Sequence, residues 1–264
     1  MKIVNRMPAK TADASAERHT AGPELFRLCI YAVVLGAAVY FAIGLLADFC
    51  VKRISFEQEA ALFSARIFDR MVDAAEDTNR LERAKVILAA MTANDEVPPL
   101  DYRLVLVEED DPNAFAFPGG TIGLTTGLLD ALKEDMEIAF VIGHEIGHFN
   151  NRDHLRGMGR AVGVGLLYVV LFDRQMGDQL VSGIFNYILM RGYSRGQEEK
   201  ADEYGVKLVF QTYGRTDGIE RLFQIINEND GKTPNWAYMF STHPSPGRRI
   251  KDLKRYALSL SAPD

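Results

Sequence analysis

The feature that most restricts how this chain can fold is an uncharged segment of twenty residues near the N-terminus. Residues 28–47 read LCIYAVVLGAAVYFAIGLLA, with neither a charged residue nor a proline. A helix of this length rises about 30 Å, the hydrocarbon thickness of a bilayer, whereas a buried helix of a soluble protein normally has a polar face. The segment therefore predicts one transmembrane helix, with the lipid bilayer as its partner.

The residues on either side of this segment indicate whether it is cleaved and which side of the membrane each end faces. Residues 1–27 form a long polar segment, and no A-x-A pattern follows the apolar run, which favours an uncleaved anchor over a cleaved signal peptide. Five basic residues precede the run and four follow it closely, so the positive-inside rule favours a cytoplasmic N-terminus. We expect a single-pass protein of a bacterial inner membrane, with its C-terminal domain on the extracytoplasmic side.

The composition of the whole chain excludes several classes of protein. The 264 residues are 47% hydrophobic and 25% charged, which rules out a polytopic transporter, a disordered chain and a collagen-like rod. A net charge of −6 argues against nucleic acid as a partner. Two cysteines are too few for a disulfide framework or a cysteine zinc knuckle.

The rest of the chain, residues 54–258, has the pattern of a predominantly helical α+β domain. Apolar residues recur at helical spacing through residues 54–93. Short runs of strand-forming residues follow at 102–107 and 114–117, and a PGG sequence predicts a turn into residues 121–126. We expect two or three short antiparallel strands and a mostly helical remainder.

The sharpest motif is HEIGH at residues 144–148, which follows an apolar helical segment. Histidines at i and i+4 project from one face of a helix and can bind a single zinc ion. Glu145 lies beside them and can reach a water on the metal. A catalytic zinc needs a third protein ligand, so the motif predicts a further donor elsewhere in the chain.

Two residues compete for the place of the third ligand. His154 has the spacing of an HExxHxxGxxH pattern, although Asn151 replaces its glycine and would have to adopt the left-handed conformation. Glu198 is the alternative, with Asp202 one helical turn further on the same face. In that arrangement Glu198 would bind zinc while Asp202 hydrogen-bonds the free nitrogen of a ligand histidine.

Four ordered motifs resemble those of the HtpX and type I CAAX prenyl endopeptidase family of membrane-associated zinc peptidases. They are HEIGH at 144–148, the ExxAD pattern at 198–202, NAFAFPGG at 113–120, and His243-Pro244 followed by Arg249-Ile250. The resemblance implies a zincin-like (gluzincin) domain with a small antiparallel sheet. It also implies one Zn²⁺ per chain, held by His144, His148 and Glu198 rather than His154, with Asp202 supporting a ligand.

The same resemblance implies a zinc-dependent endopeptidase with polypeptide substrates. Glu145 would accept the proton of the attacking water and pass it to the leaving amine. His243 would stabilise the oxyanion or fill the open zinc position, with Arg249 or Tyr193 as alternatives. An edge strand could hold an extended, unfolded or mislocalised protein by strand addition. The alternative function is a non-proteolytic chaperone or scaffold that uses the same cleft.

The segment between the two zinc motifs, residues 157–192, is apolar and rich in glycine. Its two apolar runs, 161–172 and 180–190, are too short to span a bilayer. They predict a helical hairpin, for which a place in the protein core is the simplest interpretation. A hairpin that covers the active site or dips into the membrane surface is the alternative.

Overall fold

The computed structural model describes residues 21–63, 78–171, 183, 192–219, 221–222 and 246–261. Contacts divide the chain into two units, Met1–Ala42 and Ile43–Asp264. A short 3-10 turn covers Thr78–Leu81. The other elements of the described residues are α1 (Ala21–Val51), α2 (Phe56–Leu62), α3 (Glu82–Thr92), β1 (Arg103–Val107), β2 (Ala114–Phe117), β3 (Thr121–Thr125), α4 (Thr126–Ala131), α5 (Asp135–Asn150), α6 (Asp153–Leu171), α7 (Arg195–Tyr213) and α8 (Pro246–Ser261).

Helix α1 contains the apolar segment found in the sequence. The part Gly22–Val51 is long and apolar enough to cross a membrane. Large apolar side chains along it are exposed, including Leu35 at 66% and Phe41 at 68%. Exposed apolar surface of this extent is unfavourable in water and favourable in lipid. Helix α1 contains the predicted helix over 28–47 and extends beyond that segment at both ends.

The small sheet has three strands in the order β1-β3-β2. Strands β2 and β3 form the expected antiparallel hairpin, with Ala116 opposite Ile122. Strand β1 instead pairs with β3 in parallel, so the sheet is mixed and the expectation of an all-antiparallel sheet is wrong for this pair. Alternating apolar residues and a turn sequence define a hairpin, but they do not determine which neighbour a third strand joins.

Helices α5 and α7 form the centre of the larger unit and pack closely together. Small residues line their contact. A Cβ atom on Gly147 would lie 2.8 Å from Cα of Ala201, and one on Gly205 would lie 2.9 Å from the backbone nitrogen of His144. Such distances are too short for real side chains, so glycine at these positions allows the two helix backbones to approach. This approach brings the two predicted zinc motifs together.

Helix α6 covers the first part of the apolar segment 157–192, as far as Leu171. The second part lies almost entirely outside the described residues, so the hairpin stays a prediction. Helix α6 runs antiparallel to the last turns of α1. A Cβ on Gly159 would lie 3.0 Å from Cβ of Ala47, and one on Gly163 would lie 2.5 Å from Cγ2 of Ile43.

Candidate metal centre

The HEIGH motif lies in the last turns of α5, a helix whose start is fixed by a buried carboxylate. Oε2 of Glu137 accepts hydrogen bonds from the backbone N–H groups of Lys133, at 2.6 Å, and Glu134, at 2.9 Å. These bonds satisfy donors at the helix N-terminus and place a negative charge at the positive end of the helix dipole. From Met136 to Phe149 every residue of α5 is buried, so the histidines lie inside the domain.

Three side chains converge at this point, two from α5 and one from the first turn of α7. Nε2 of His144 and Nε2 of His148 are 3.2 Å apart. Carboxylate oxygens of Glu198 lie 3.7 Å from the first nitrogen and 3.4 Å from the second. Tetrahedral zinc with bonds of about 2.1 Å separates its ligands by about 3.4 Å. The spacing and the donor types therefore fit one zinc ion.

Carboxylates on the far side of both imidazoles fix which nitrogen faces the centre. Nδ1 of His144 is 2.9 Å from Oδ1 of Asp202, the partner expected from the sequence. Nδ1 of His148 is 3.1 Å from Oδ2 of Asp153, a residue that the sequence analysis missed. An acidic residue five positions after the second histidine, at the start of the next helix, was the available signal. Because each acid holds Nδ1, Nε2 of both imidazoles faces the centre.

The electrostatic field around His148 is strongly negative. Burial alone would lower the pKa of this imidazole, but the hydrogen bond to Asp153 and the interactions with Glu198 and Glu145 raise it to about 10. Without a metal, the site therefore holds a proton on His148. Glu145, the residue next to His144 in the motif, is itself buried, with 1% of its surface exposed. A divalent cation would replace the proton and balance these charges.

Tyr193, Arg249 and His243 were the candidates for stabilising the oxyanion, and Tyr193 is the one that the structure places next to a zinc-site histidine. The ring of Tyr193 stacks on the imidazole of His148, with 3.8 Å between ring centres and 20° between planes. This contact places Tyr193 at the metal centre, as one wall of the site. Arg249 lies within α8. His243 lies outside the described residues, so its role stays a prediction.

His154, the alternative third ligand, makes a different contact. Its Nε2 lies 2.7 Å from Oε1 of Glu59 on α2, and it is absent from the group of side chains that can share a metal. The left-handed residue that the alternative required at Asn151 is also not there, because Asn151 is right-handed and Arg152 adopts φ 59° instead. The geometry therefore favours Glu198 as the third donor.

Glu59 holds together three parts of the domain around the metal centre. Its buried carboxylate pairs with His154 and, at 2.5 Å, with Arg152. It also accepts the backbone N–H of Gly119, in the turn that follows β2, at 3.0 Å. Burial raises the pKa of Glu59, but His154, Gly119 and Arg152 together outweigh it and lower the pKa below its usual value. This cluster was not predicted from the sequence, because its members are far apart in the chain and no local pattern connects them.

Comparison with known proteins agrees with this geometry. The chain is 33% identical over 165 residues to mitochondrial metalloendopeptidase OMA1 of Arabidopsis thaliana, covering 61% of this chain and 33% of that protein. It is 27% identical to a protease HtpX homolog of Methanopyrus kandleri, covering 71% of each chain. Metalloprotease LoiP of Escherichia coli is 26% identical, with 66% of this chain and 69% of that protein covered.

The match to a family extends over most of the folded domain. Residues 77–257 match the sequence model of peptidase family M48. The matched range includes both zinc motifs of this chain. The match confirms the resemblance and does not favour a non-proteolytic chaperone or scaffold. Because of the long apolar helix α1, the chain is also membrane-associated. The chain belongs to peptidase family M48, whose members are zinc metallopeptidases.

Proposed function

We propose that this protein is a single-pass membrane endopeptidase that cleaves unfolded or mislocalised membrane and envelope proteins. The observation that carries the proposal is the buried group of His144, His148 and Glu198, whose donor atoms all lie within 4.8 Å of one another. Helix α1 would anchor the protein, with the catalytic domain on the extracytoplasmic side of a bacterial inner membrane. Reporter fusions at the C-terminus test this side.

The proposed mechanism assigns a role to each side chain of the centre. His144, His148 and Glu198 would hold zinc, and Asp202 and Asp153 would orient the two imidazoles. The chemistry that a bound zinc ion would supply is Lewis-acid polarisation of the scissile carbonyl and of water. The carboxylate of Glu145 would accept the proton of the attacking water and deliver it to the nitrogen of the leaving amine.

The sheet offers a place for an extended substrate. Among the described strands, β2 is the outer neighbour of β3, and its four residues are buried, so a substrate strand could add there only once the outer side of β2 is uncovered. A peptide main chain that adds to an edge strand gains affinity from backbone hydrogen bonds, which impose little sequence preference. The carboxylate of Glu59 holds the turn after β2 through Gly119, at the same time as it pairs with His154 beside the metal centre. This link supports a fixed position of the strand relative to the zinc ligands.

The function is tested with the full chain in detergent or vesicles. Wild type is expected to degrade casein, whereas Glu145→Gln should bind an equal amount of zinc and degrade casein at least about 100-fold more slowly. Glu57→Gln is a matched control, since it makes the same change at an exposed carboxylate. Equal cleavage by wild type and Glu145→Gln, or no cleavage by zinc-loaded wild type, would contradict the proposal.

His243 remains the proposed stabiliser of the oxyanion, on the strength of the HPxxxxRI pattern in the sequence. Tyr193 is the alternative, supported by its stacking on His148. Loss of kcat with unchanged zinc content is the result expected for His243→Ala. The conservative variant Tyr193→Phe keeps the stacked ring and removes only the hydroxyl, so a similar loss of kcat there would assign the role to Tyr193.

A further inference from the structure

A basic cavity of about 540 Å³ lies beside the metal centre, where the last turns of α1 meet α6. Its lining includes the cationic side chains of Lys52, Arg156 and Arg160 and the carboxylate of Asp48. The beginning of α7, including Gln197, forms the opposite wall. Three cations thus share a cavity with one acid and the positive end of a helix dipole, which favours an anionic occupant.

The pairing between these charges is loose. Nη2 of Arg160 is 3.4 Å and Nε of Arg156 is 3.7 Å from the carboxylate oxygens of Asp48. Nη1 of Arg156 also lies 3.5 Å from Oδ1 of Asp153. Charge-assisted hydrogen bonds are normally shorter than about 3 Å. Nε of Arg160 is also buried and has no hydrogen-bond partner within the described part of the chain. The two guanidinium groups therefore retain donors for another anion.

The position of the cavity along α1 indicates where that anion comes from. Asp48 is the first residue after the apolar segment 28–47, so a bilayer that contains this segment has its head groups at the level of Asp48. Arg160 reaches back along α1 to Gly44, where a Cβ atom would lie 3.1 Å from its Nε. The guanidinium group of Arg160 therefore lies between Gly44, in the last turn of the apolar segment, and Asp48 at its end, where an arginine side chain can reach lipid head groups.

We propose that this cavity binds the phosphate of an anionic membrane lipid, with Arg156 and Arg160 as the principal donors and Lys52 as an additional cation. The planar, forked guanidinium group matches a phosphate, and a lipid phosphodiester carries the single negative charge that the loosely paired cations can accept. The inference rests on membrane anchoring by α1, which belongs to the proposed function, but not on proteolysis.

The site shares three contacts with the metal centre, the first of which is the 3.5 Å approach of Nη1 of Arg156 to Oδ1 of Asp153. Tyr193 lines the cavity and also stacks on His148. Gln197, in the opposite wall, donates to Oδ1 of Asp153 at 2.7 Å, and Asp153 in turn contacts Nδ1 of His148. A lipid bound here would therefore sit one side chain away from a zinc ligand, and it would hold the catalytic domain at the membrane surface.

Native mass spectrometry of the full chain, released from detergent micelles with added lipid, tests this site. Wild type should retain one dioleoylphosphatidylglycerol molecule at least about tenfold more strongly than dioleoylphosphatidylcholine. The double variant Arg156→Gln/Arg160→Gln should lose this preference. The control Arg80→Gln/Lys207→Gln removes the same charge from exposed ion pairs elsewhere and should retain it. Equal retention by all three proteins would overturn the proposal.

Two further variants separate lipid binding from a purely structural role of the ion pairs. Asp48→Asn frees the guanidinium groups and should strengthen phosphatidylglycerol retention, whereas a structural ion pair predicts no gain. Lys52→Gln changes an exposed side chain and should weaken retention several-fold without affecting folding. An increase with Asp48→Asn supports the site, and unchanged retention in both variants contradicts it.

The source of the phosphate and the anchoring are tested separately. Inorganic phosphate or glycerol 3-phosphate, at the same concentration as the lipid, should not displace phosphatidylglycerol; displacement would assign the cavity to a soluble phosphate. Flotation with phosphatidylcholine vesicles measures anchoring by α1 without the anionic head group. Casein cleavage measures the proposed proteolysis, so failure of either function is distinguishable from failure of the lipid site.

Discussion

Nδ1 of His148 lies 3.1 Å from Oδ2 of Asp153, and this contact connects the metal centre to the start of α6. Asp153 is 1% exposed and also accepts a hydrogen bond from Gln197 of α7, at 2.7 Å. One carboxylate thus joins the zinc helix, the helix that follows it and the helix that supplies Glu198. Asp202 contacts the other imidazole in the same way, with its Oδ1 2.9 Å from Nδ1 of His144.

Removal of the Asp153 carboxylate is expected to weaken zinc binding. Asp153→Ala should lower zinc affinity about 10- to 100-fold, because the imidazole of His148 loses the acceptor that fixes its tautomer and orientation. Asp153→Asn, which keeps an acceptor oxygen without the charge, should have a smaller effect. Competition with a chelator measures the affinity, and Asp130→Asn serves as an exposed control. Unchanged affinity in Asp153→Ala would show that the contact is not needed for binding.

Zinc binding is expected to release a proton. In the metal-free protein the pKa of His148 is raised to about 10, so at pH 7.5 the imidazole is protonated and must lose its proton to bind metal. Calorimetry in buffers of different ionisation enthalpy should show about one proton released, and zinc affinity should rise about tenfold per pH unit below pH 10. Asp153→Ala removes a main cause of the raised pKa and should reduce the release.

The same shift has a consequence for the stability of the metal-free fold. The folded-state pKa of His148 lies above its unfolded value of about 6.5, so its contribution to stability is complete below that pH. The contribution should be lost as pH rises towards 10. Urea unfolding of the chelator-treated protein measures this trend, and stability that increases over that range would contradict the assignment.

The sequence predicted the elements that depend on local pattern. Apolar spacing and motif spacing placed α1, the β2–β3 hairpin and the zinc helix, and family resemblance selected Glu198 and Asp202. Neither the local pattern nor the resemblance predicted Asp153 as a partner of His148. That contact joins two successive helices, and it depends on the turn between them at Arg152. The parallel pairing of β1 and the buried position of Glu59 were missed for the same reason, since both depend on tertiary packing.

Glu59 is expected to be critical for stability. Glu59→Ala removes the carboxylate that pairs with both Arg152 and His154 in the interior, and should lower the free energy of unfolding by about 3–5 kcal/mol. The folded-state pKa of Glu59 is lowered, so its contribution is present above about pH 4.5 and disappears as pH falls through the folded value. Denaturant unfolding at pH 7 checks the magnitude. Glu57→Gln, an exposed change on the same helix, should have little effect.

The close approach of α5 and α7 gives the most direct test of how the fold positions the zinc ligands. Gly205→Ala places a Cβ only 2.9 Å from the backbone nitrogen of His144, which is too close for two such atoms, so the helices must separate. We expect a loss of about 1–3 kcal/mol in stability and weaker zinc binding, because Glu198 moves away from the two histidines. Gly196→Ala, also on α7 but with open space around it, should retain both properties. Zinc content and thermal unfolding of the two variants measure the difference, and normal zinc affinity in Gly205→Ala would mean that the helix spacing does not set the site.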